Sequence, residues 1–334
     1  MTSHPTGDRL RVVIDTDCAN EIDDQFALAW ALFAPERLKV EATVAAPFSF
    51  RHHLAPLRAG ATPFHRAWAD RLARAGRSID ALDRDLVHPD AGMRLSLDEI
   101  RRIHALCRRE VPAHAGATRY METPDDIVWS EGAEAIVDLA KSGAAPLYVA
   151  CMGCVTNIAA ALLRAPEIAE RIVVLWTAGY PTRQPHPQHS ALNLVQDPHA
   201  TRRLFDCGVP LVYLPGYHVG VQLRLSHPEV AQNVKGRGAL GDYLWQLYDR
   251  NPLHDMFATE EPRRRSWVIW DMIDIAWLLN PDWVPTFETP APVLTSDLRW
   301  EARPGRHMIR EAHDLQRDEI FLDFYARLGA ADAG

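Results

Sequence analysis

The chain has 334 residues, 47% hydrophobic and 24% charged, the balance of a globular protein with a sizeable core. That composition excludes a disordered, collagen-like or fibrous chain. Acids outnumber lysine and arginine by 44 to 36, a net charge of −8, so the basic excess that a nucleic-acid partner requires is missing.

Residues 1–11 are polar and hold no apolar segment of signal-peptide length, and the longest apolar run, 26–34, is far too short for a bilayer. A soluble, cytoplasmic protein with no membrane partner is expected. Strands are predicted at 10–14, 38–45, 146–151, 172–177 and 209–214, and helices at 23–33, 131–141, 155–163 and 198–205. Near-continuous apolar strands alternating with helices predict an α/β fold, a mainly parallel open sheet of Rossmann type flanked by helices. No linker divides the chain, so a single large domain over 1–334 is expected. Two stretches, 51–91 and 251–265, break the alternation and read as insertions or lids. Near the carboxy terminus, 321–328 carries an apolar helical stripe that suits the core or an interface equally well.

Five cysteines (Cys18, Cys107, Cys151, Cys154 and Cys207) are scattered over the chain, as suits a reducing compartment. Cys151 and Cys154 form a CxxC, but no second pair completes a zinc site, and buried thiols are expected.

In an open parallel sheet, ligands sit beyond the carboxyl ends of the strands. Directly after the first strand come Asp15, Asp17, Glu21, Asp23 and Asp24, four aspartates and a glutamate within ten residues. Their mutual repulsion calls for a cation or a dense set of donors, and all-oxygen ligands select Ca2+ or Mg2+. The following helix amino terminus also favours negative charge, so Asp23 and Asp24 acting only as helix-start acids is the alternative.

The pattern Asp15-Thr16-Asp17, a short loop, then Asp23-Asp24 resembles the signature of the inosine–uridine preferring nucleoside hydrolase family. Here the loop has five residues, Cys18 to Ile22, where the usual one has three. Further matches follow in order. Residues 149–159 resemble the family's strand and Gly-Pro-Leu-Thr-Asn-Ile-Ala, Asn193 with Asp197-Pro198 its Asn and Asp-Pro, and Trp270-Asp271 its His-Asp segment.

The resemblance implies a pocket where Ca2+ lies beneath a ribose. It makes Asp17, Asp24, Asp271 and the backbone carbonyl of Met152 the metal ligands, and Asp17 also the base toward the attacking water. Asp23 and Asn193 would bind ribose hydroxyls, and Asp15 would support the loop from behind. The substrate would be a small molecule, a ribonucleoside or related ribosyl compound, and the protein a homodimer or homotetramer.

Several positions depart from the family. Its His before the helix aspartate is Trp270, its Glu near the sugar's 5′ end is Ala191, and residues 47–50 replace an Asn after the second strand. Trp270 with Phe48 or Phe50 is expected to stack on an aromatic leaving group. The alternative proton donors are His186, His189 and His254, since imidazole titrates near neutrality. Two competing readings are a ribose-binding protein without turnover and a Mg2+-dependent phosphatase. The latter is disfavoured by the scarcity of lysine, with only Lys39, Lys141 and Lys235.

Overall fold

The structure, a computed structural model, describes residue 5 and residues 7–333. Most of the stretch before Gly7, part of the polar start discussed above, lies outside the described residues. The strands run in chain order as β1 (Leu10–Thr16), β2 (Leu38–Ala45), β3 (Ala113–Ala115), β4 (Leu147–Cys151), β5 (Ile172–Thr177) and β6 (Leu211–Leu214). The short β7 (Arg224–Leu225) pairs with β8 (Trp267–Val268), and after β9 (Thr286–Pro290) the short β10 (Val293–Leu294) pairs with β11 (Trp300–Glu301). With β12 (Met308–Ala312), the central sheet has the order β3-β2-β1-β4-β5-β6-β12-β9. All its pairings are parallel except β12 with β9.

The first six positions have the order 3-2-1-4-5-6, in which the chain reverses direction across the sheet between β1 and β4. The crevice beyond the carboxyl ends of those two strands is where such sheets bind ligands. β1 runs two residues further than its apolar stretch, because Asp15 still pairs with Val44 on one side and Cys151 on the other. Asp15 therefore lies inside the sheet, and Asp17 is the first acid past its edge.

Apolar clusters cover both faces of the sheet. One is built around Phe26, Trp30, Trp277 and Phe324, the other around Ile158, Trp176, Phe205 and Tyr213. Every residue of the helix Asp23–Leu32 is buried, because it packs against the helices Pro89–Leu106, Met272–Leu279 and Arg317–Ala333. A helix enclosed on all sides shows no polar face. The carboxy-terminal stripe faces the core: Phe321, Phe324 and Leu328 are buried, and the Phe324 ring lies 5.7 Å from that of Phe26.

The stretches 51–91 and 251–265, expected as insertions or lids, are largely helical, with helices Leu54–Ala59, Pro63–Arg74, Ile79–Asp85 and Pro252–Met256. Far apart in sequence, they share a third apolar cluster that includes Leu54, Trp68, Leu82 and Leu253. The Trp68 indole N–H donates to the Met256 carbonyl at 3.0 Å, and its ring meets that of Phe257 at 4.8 Å.

Candidate active site

Asp17, Asp23, Asp24, Met152, Asn193, Trp270 and Asp271 line one pocket, at the carboxyl ends of β1, β4, β5 and β6. The loop after β4 reaches Asp17 because residue 153 is glycine. A Cβ there would stand 3.0 Å from the Asp17 carboxyl carbon, and the Trp176 indole fixes the Gly153 carbonyl at 3.0 Å. Two helices, Asp23–Leu32 and Met272–Leu279, aim their amino termini at the acids, which places the positive ends of both dipoles at the negative cluster.

Asp23, Asp24 and Asp271 each offer a carboxylate oxygen, and these atoms lie within 4.8 Å of one another. The trio contains Asp23 where the family pattern put Asp17. Asp17 is turned onto its own loop: its Oδ2 accepts from the Asn20 amide at 3.0 Å, and its carbonyl accepts from the Asn20 N–H at 2.9 Å. Asp24 is oriented by the Thr16 hydroxyl, which donates to it. Asp15 stands behind the loop, fully buried, with Asn157 beside it.

Asn193 donates to the carbonyls of Met152 at 2.7 Å and Thr177 at 2.9 Å. Its amide nitrogen is thereby committed, which leaves its oxygen for a ligand. The Met152 carbonyl keeps a second lone pair.

This geometry sits in a chain whose residues 12–321 match the family described as inosine-uridine preferring nucleoside hydrolase. The chain belongs to that family. It is 27% identical over 281 residues to the non-specific ribonucleoside hydrolase RihC of Salmonella agona, covering 82% of this chain and 79% of that protein. The fold is similar to that of the purine-preferring ribonucleoside hydrolase from Gardnerella vaginalis, with a TM-score of 0.71, 18% identity, and 96% and 99% of the two chains covered. It is also similar to the inosine-uridine preferring nucleoside hydrolase from Bacillus anthracis, with a TM-score of 0.60, 15% identity, and 96% and 99% covered. As a nucleoside hydrolase it is an N-glycosyl hydrolase, an enzyme for ribonucleosides.

The acids of this nucleoside hydrolase are electrostatically frustrated without a cation. Burial, then the neighbouring acids, hold the carboxyls of Asp17, Asp24 and Asp271 well above the usual carboxylate range. Burial and then Glu21 push Asp23 to about 8, and burial alone pushes Asp15 to about 7, opposed by Asn157. No lysine, arginine or histidine lines the pocket among the described residues. Asp23 Oδ1 and Asn20 Oδ1 are buried without a hydrogen-bond partner. Unpartnered hard oxygens with no basic neighbour fit a divalent cation.

Phe48 does not fulfil its expected role. It is buried, its backbone packs against Gly92, and it lines no wall of the pocket. Phe50 belongs to the third apolar cluster. The three histidines proposed as donors also lie off the pocket lining. His189 is exposed beside the pocket-lining Ser190, and His254 packs on Trp267 at 5.1 Å in a separate cleft with Phe64 and Arg71. His186 leans on Tyr180 at 5.0 Å. These side chains come from loops and from the helical stretches, whose placement apolar periodicity does not encode.

Trp270 does line the pocket, edge-on to Tyr217 at 5.7 Å. Tyr217 stacks in turn on Tyr180 at 4.3 Å and donates its hydroxyl to the Ser190 carbonyl at 2.8 Å. Sequence reasoning missed Tyr217, although it lies just after β6, where the strand-end rule points. It counted Glu21 among the acids of the lengthened first loop without giving it a role and passed over Asn20, and both are pocket residues.

Proposed function

We propose that this nucleoside hydrolase cleaves the N-glycosidic bond of a ribonucleoside in a Ca2+-dependent reaction, with Asp17 taking the proton of the attacking water. The observation that carries the reading is the buried group Asp23, Asp24 and Asp271, whose oxygens lie within 4.8 Å of one another and lack a basic partner. Asp17, Asp24, Asp271 and the Met152 carbonyl would hold the ion. A bound divalent cation neutralises the cluster and lowers the pKa of a water near it.

The chain's own groups do the remaining work. Asp23 and the free oxygen of Asn193 accept from ribose hydroxyls and fix the sugar over the acids. The carboxylates stabilise positive charge developing on the sugar as the base departs. Trp270 stacks on the base, a contact worth ~1–3 kcal/mol. With His189 and His254 off the pocket wall, the departing base takes its proton from solvent. Acidic walls and the small Ala191 favour an uncharged nucleoside over a phosphorylated one. The family resemblance extends the reading to a cytoplasmic homodimer or homotetramer. Among the described residues no helix is long and apolar enough to cross a membrane.

The test is release of free ribose from a panel of nucleosides, read as reducing sugar. A chelator abolishes it and Ca2+ restores it, while Asp17→Ala lowers kcat by about 10²–10⁴-fold, the usual range for a lost general base. Full turnover after both treatments overturns the reading.

A further inference from the structure

Glu21 is a pocket residue that the family signature does not contain. It comes from the five-residue loop between Asp17 and Asp23, and it lines the same pocket as Asp23 and Trp270. Its charge acts on the acids on one side, Asp17 and Asp23, and on the Tyr217 hydroxyl on the other. Glu21 thus lines one pocket with the carboxylates Asp17 and Asp23 and with the aromatic rings of Trp270 and Tyr217.

Its surroundings leave it short of donors. No basic residue lines the pocket, and no ion pair forms on Glu21 among the described residues. The Trp267 indole, three residues before Trp270, is near enough to favour the charged carboxylate, yet its N–H stays buried and without a completed hydrogen bond. A carboxylate is an acceptor only, with two oxygens side by side, and its natural complement is a pair of adjacent N–H donors.

We propose that Glu21 is the specificity residue for the leaving base, accepting hydrogen bonds from N–H groups on the edge of a base stacked on Trp270. The inference rests on the hydrolase reading above. A ring lying flat on an indole projects its edge sideways, toward the other side chains that line the pocket, and Glu21 is one of them. The class selected is a purine with a ring N–H and a neighbouring exocyclic amine, as in the 2-amino-6-oxopurines. Inosine offers the ring N–H alone, so the pair guanosine and inosine isolates the amine. A bidentate contact of this kind discriminates by ~1–3 kcal/mol, which is about 5- to 150-fold.

The experiment measures kcat/KM for guanosine, inosine and 5′-deoxyinosine with the wild-type protein, Glu21→Gln and Glu21→Ala. Wild type is expected to favour guanosine over inosine by about tenfold or more, and both variants to bring that ratio to within about twofold of unity. A guanosine-to-inosine ratio unchanged by both substitutions overturns the proposal. So does an effect that follows the 5′-hydroxyl instead, seen as a changed ratio of inosine to 5′-deoxyinosine with the base ratio intact. If wild type turns over no nucleoside, the hydrolase reading falls by itself. Calorimetric affinities for guanosine and inosine, wild type against Glu21→Gln, then decide the role of Glu21 by the same ratio.

Discussion

Asn193 binds the Met152 carbonyl at 2.7 Å and ties the turn after β4 to the segment that follows β5. The same amide nitrogen reaches the Thr177 carbonyl at 2.9 Å, so one side chain joins two strand ends at the floor of the pocket. A residue expected only to touch a sugar is thus also a brace. Asn193→Ala leaves two carbonyls without their donor, at a cost of ~1–3 kcal/mol. Asn193→Asp, which sets a carboxylate against the same two oxygens, is expected to be more destabilising still. Urea denaturation ranks the three proteins, and a sugar-contact role alone predicts equal stabilities.

The acid cluster sets the direction of a pH effect in the metal-free protein. Glu21 is pushed to about 7 by burial and then Asp24, Asp15 to about 7, and Asp23 to about 8. Their unfolded values lie near 4, so between about pH 4 and pH 8 the folded chain binds more protons than the unfolded one. The stability of the metal-free chain is therefore present below pH 4 as far as these groups are concerned, and is lost as pH rises towards 8. A divalent cation entering the cluster would displace those protons, so the apparent affinity for calcium is expected to rise over the same interval. Thermal melts in chelator and in calcium, run from pH 5 to pH 8, are expected to diverge steadily. Parallel curves remove the coupling.

Much of this architecture was legible because burial on both faces of a parallel sheet leaves unbroken apolar runs. β2 and β5 coincide with their predicted spans, and the order of strands places the ligand crevice. The acids of the first loop were legible for a different reason: like charges at that density need a common partner. What the sequence hid depends on loops. Phe48 follows a strand end and so looks like a pocket residue, yet close packing on Gly92 draws it into the interior. Tyr217 reaches the pocket through a hydroxyl bonded to Ser190, a contact with no periodicity to announce it. The joining of 51–91 to 251–265 through Trp68 is equally long-range.

That joined module carries its own acid sensitivity. His53 Nδ1 lies 3.2 Å from His65 Nε2, the His52 and His53 rings are 4.0 Å apart, and the Phe64 and Trp68 rings close over His53. The polar groups facing them are few: the Ser49 carbonyl at His52 Nδ1 and the Thr62 hydroxyl at His65 Nδ1. Burial, opposed by the Ser49 bond, lowers His52 to about 4, and burial with the neighbouring imidazoles lowers His53 to about 3. Unfolded histidine takes its proton near pH 6.5, so below that pH the open module binds more protons than the closed one. Its stability is therefore full above pH 6.5 and declines as pH falls towards 4. Hydrogen exchange of 54–85 and 252–256 is expected to quicken between pH 6.5 and pH 4.5, after correction for intrinsic rates, while β1 and β4 stay protected. His53→Phe, which keeps a ring against Trp68 and cannot be protonated, should flatten that response. Exchange that quickens equally in the central sheet assigns the acid lability to the whole fold instead.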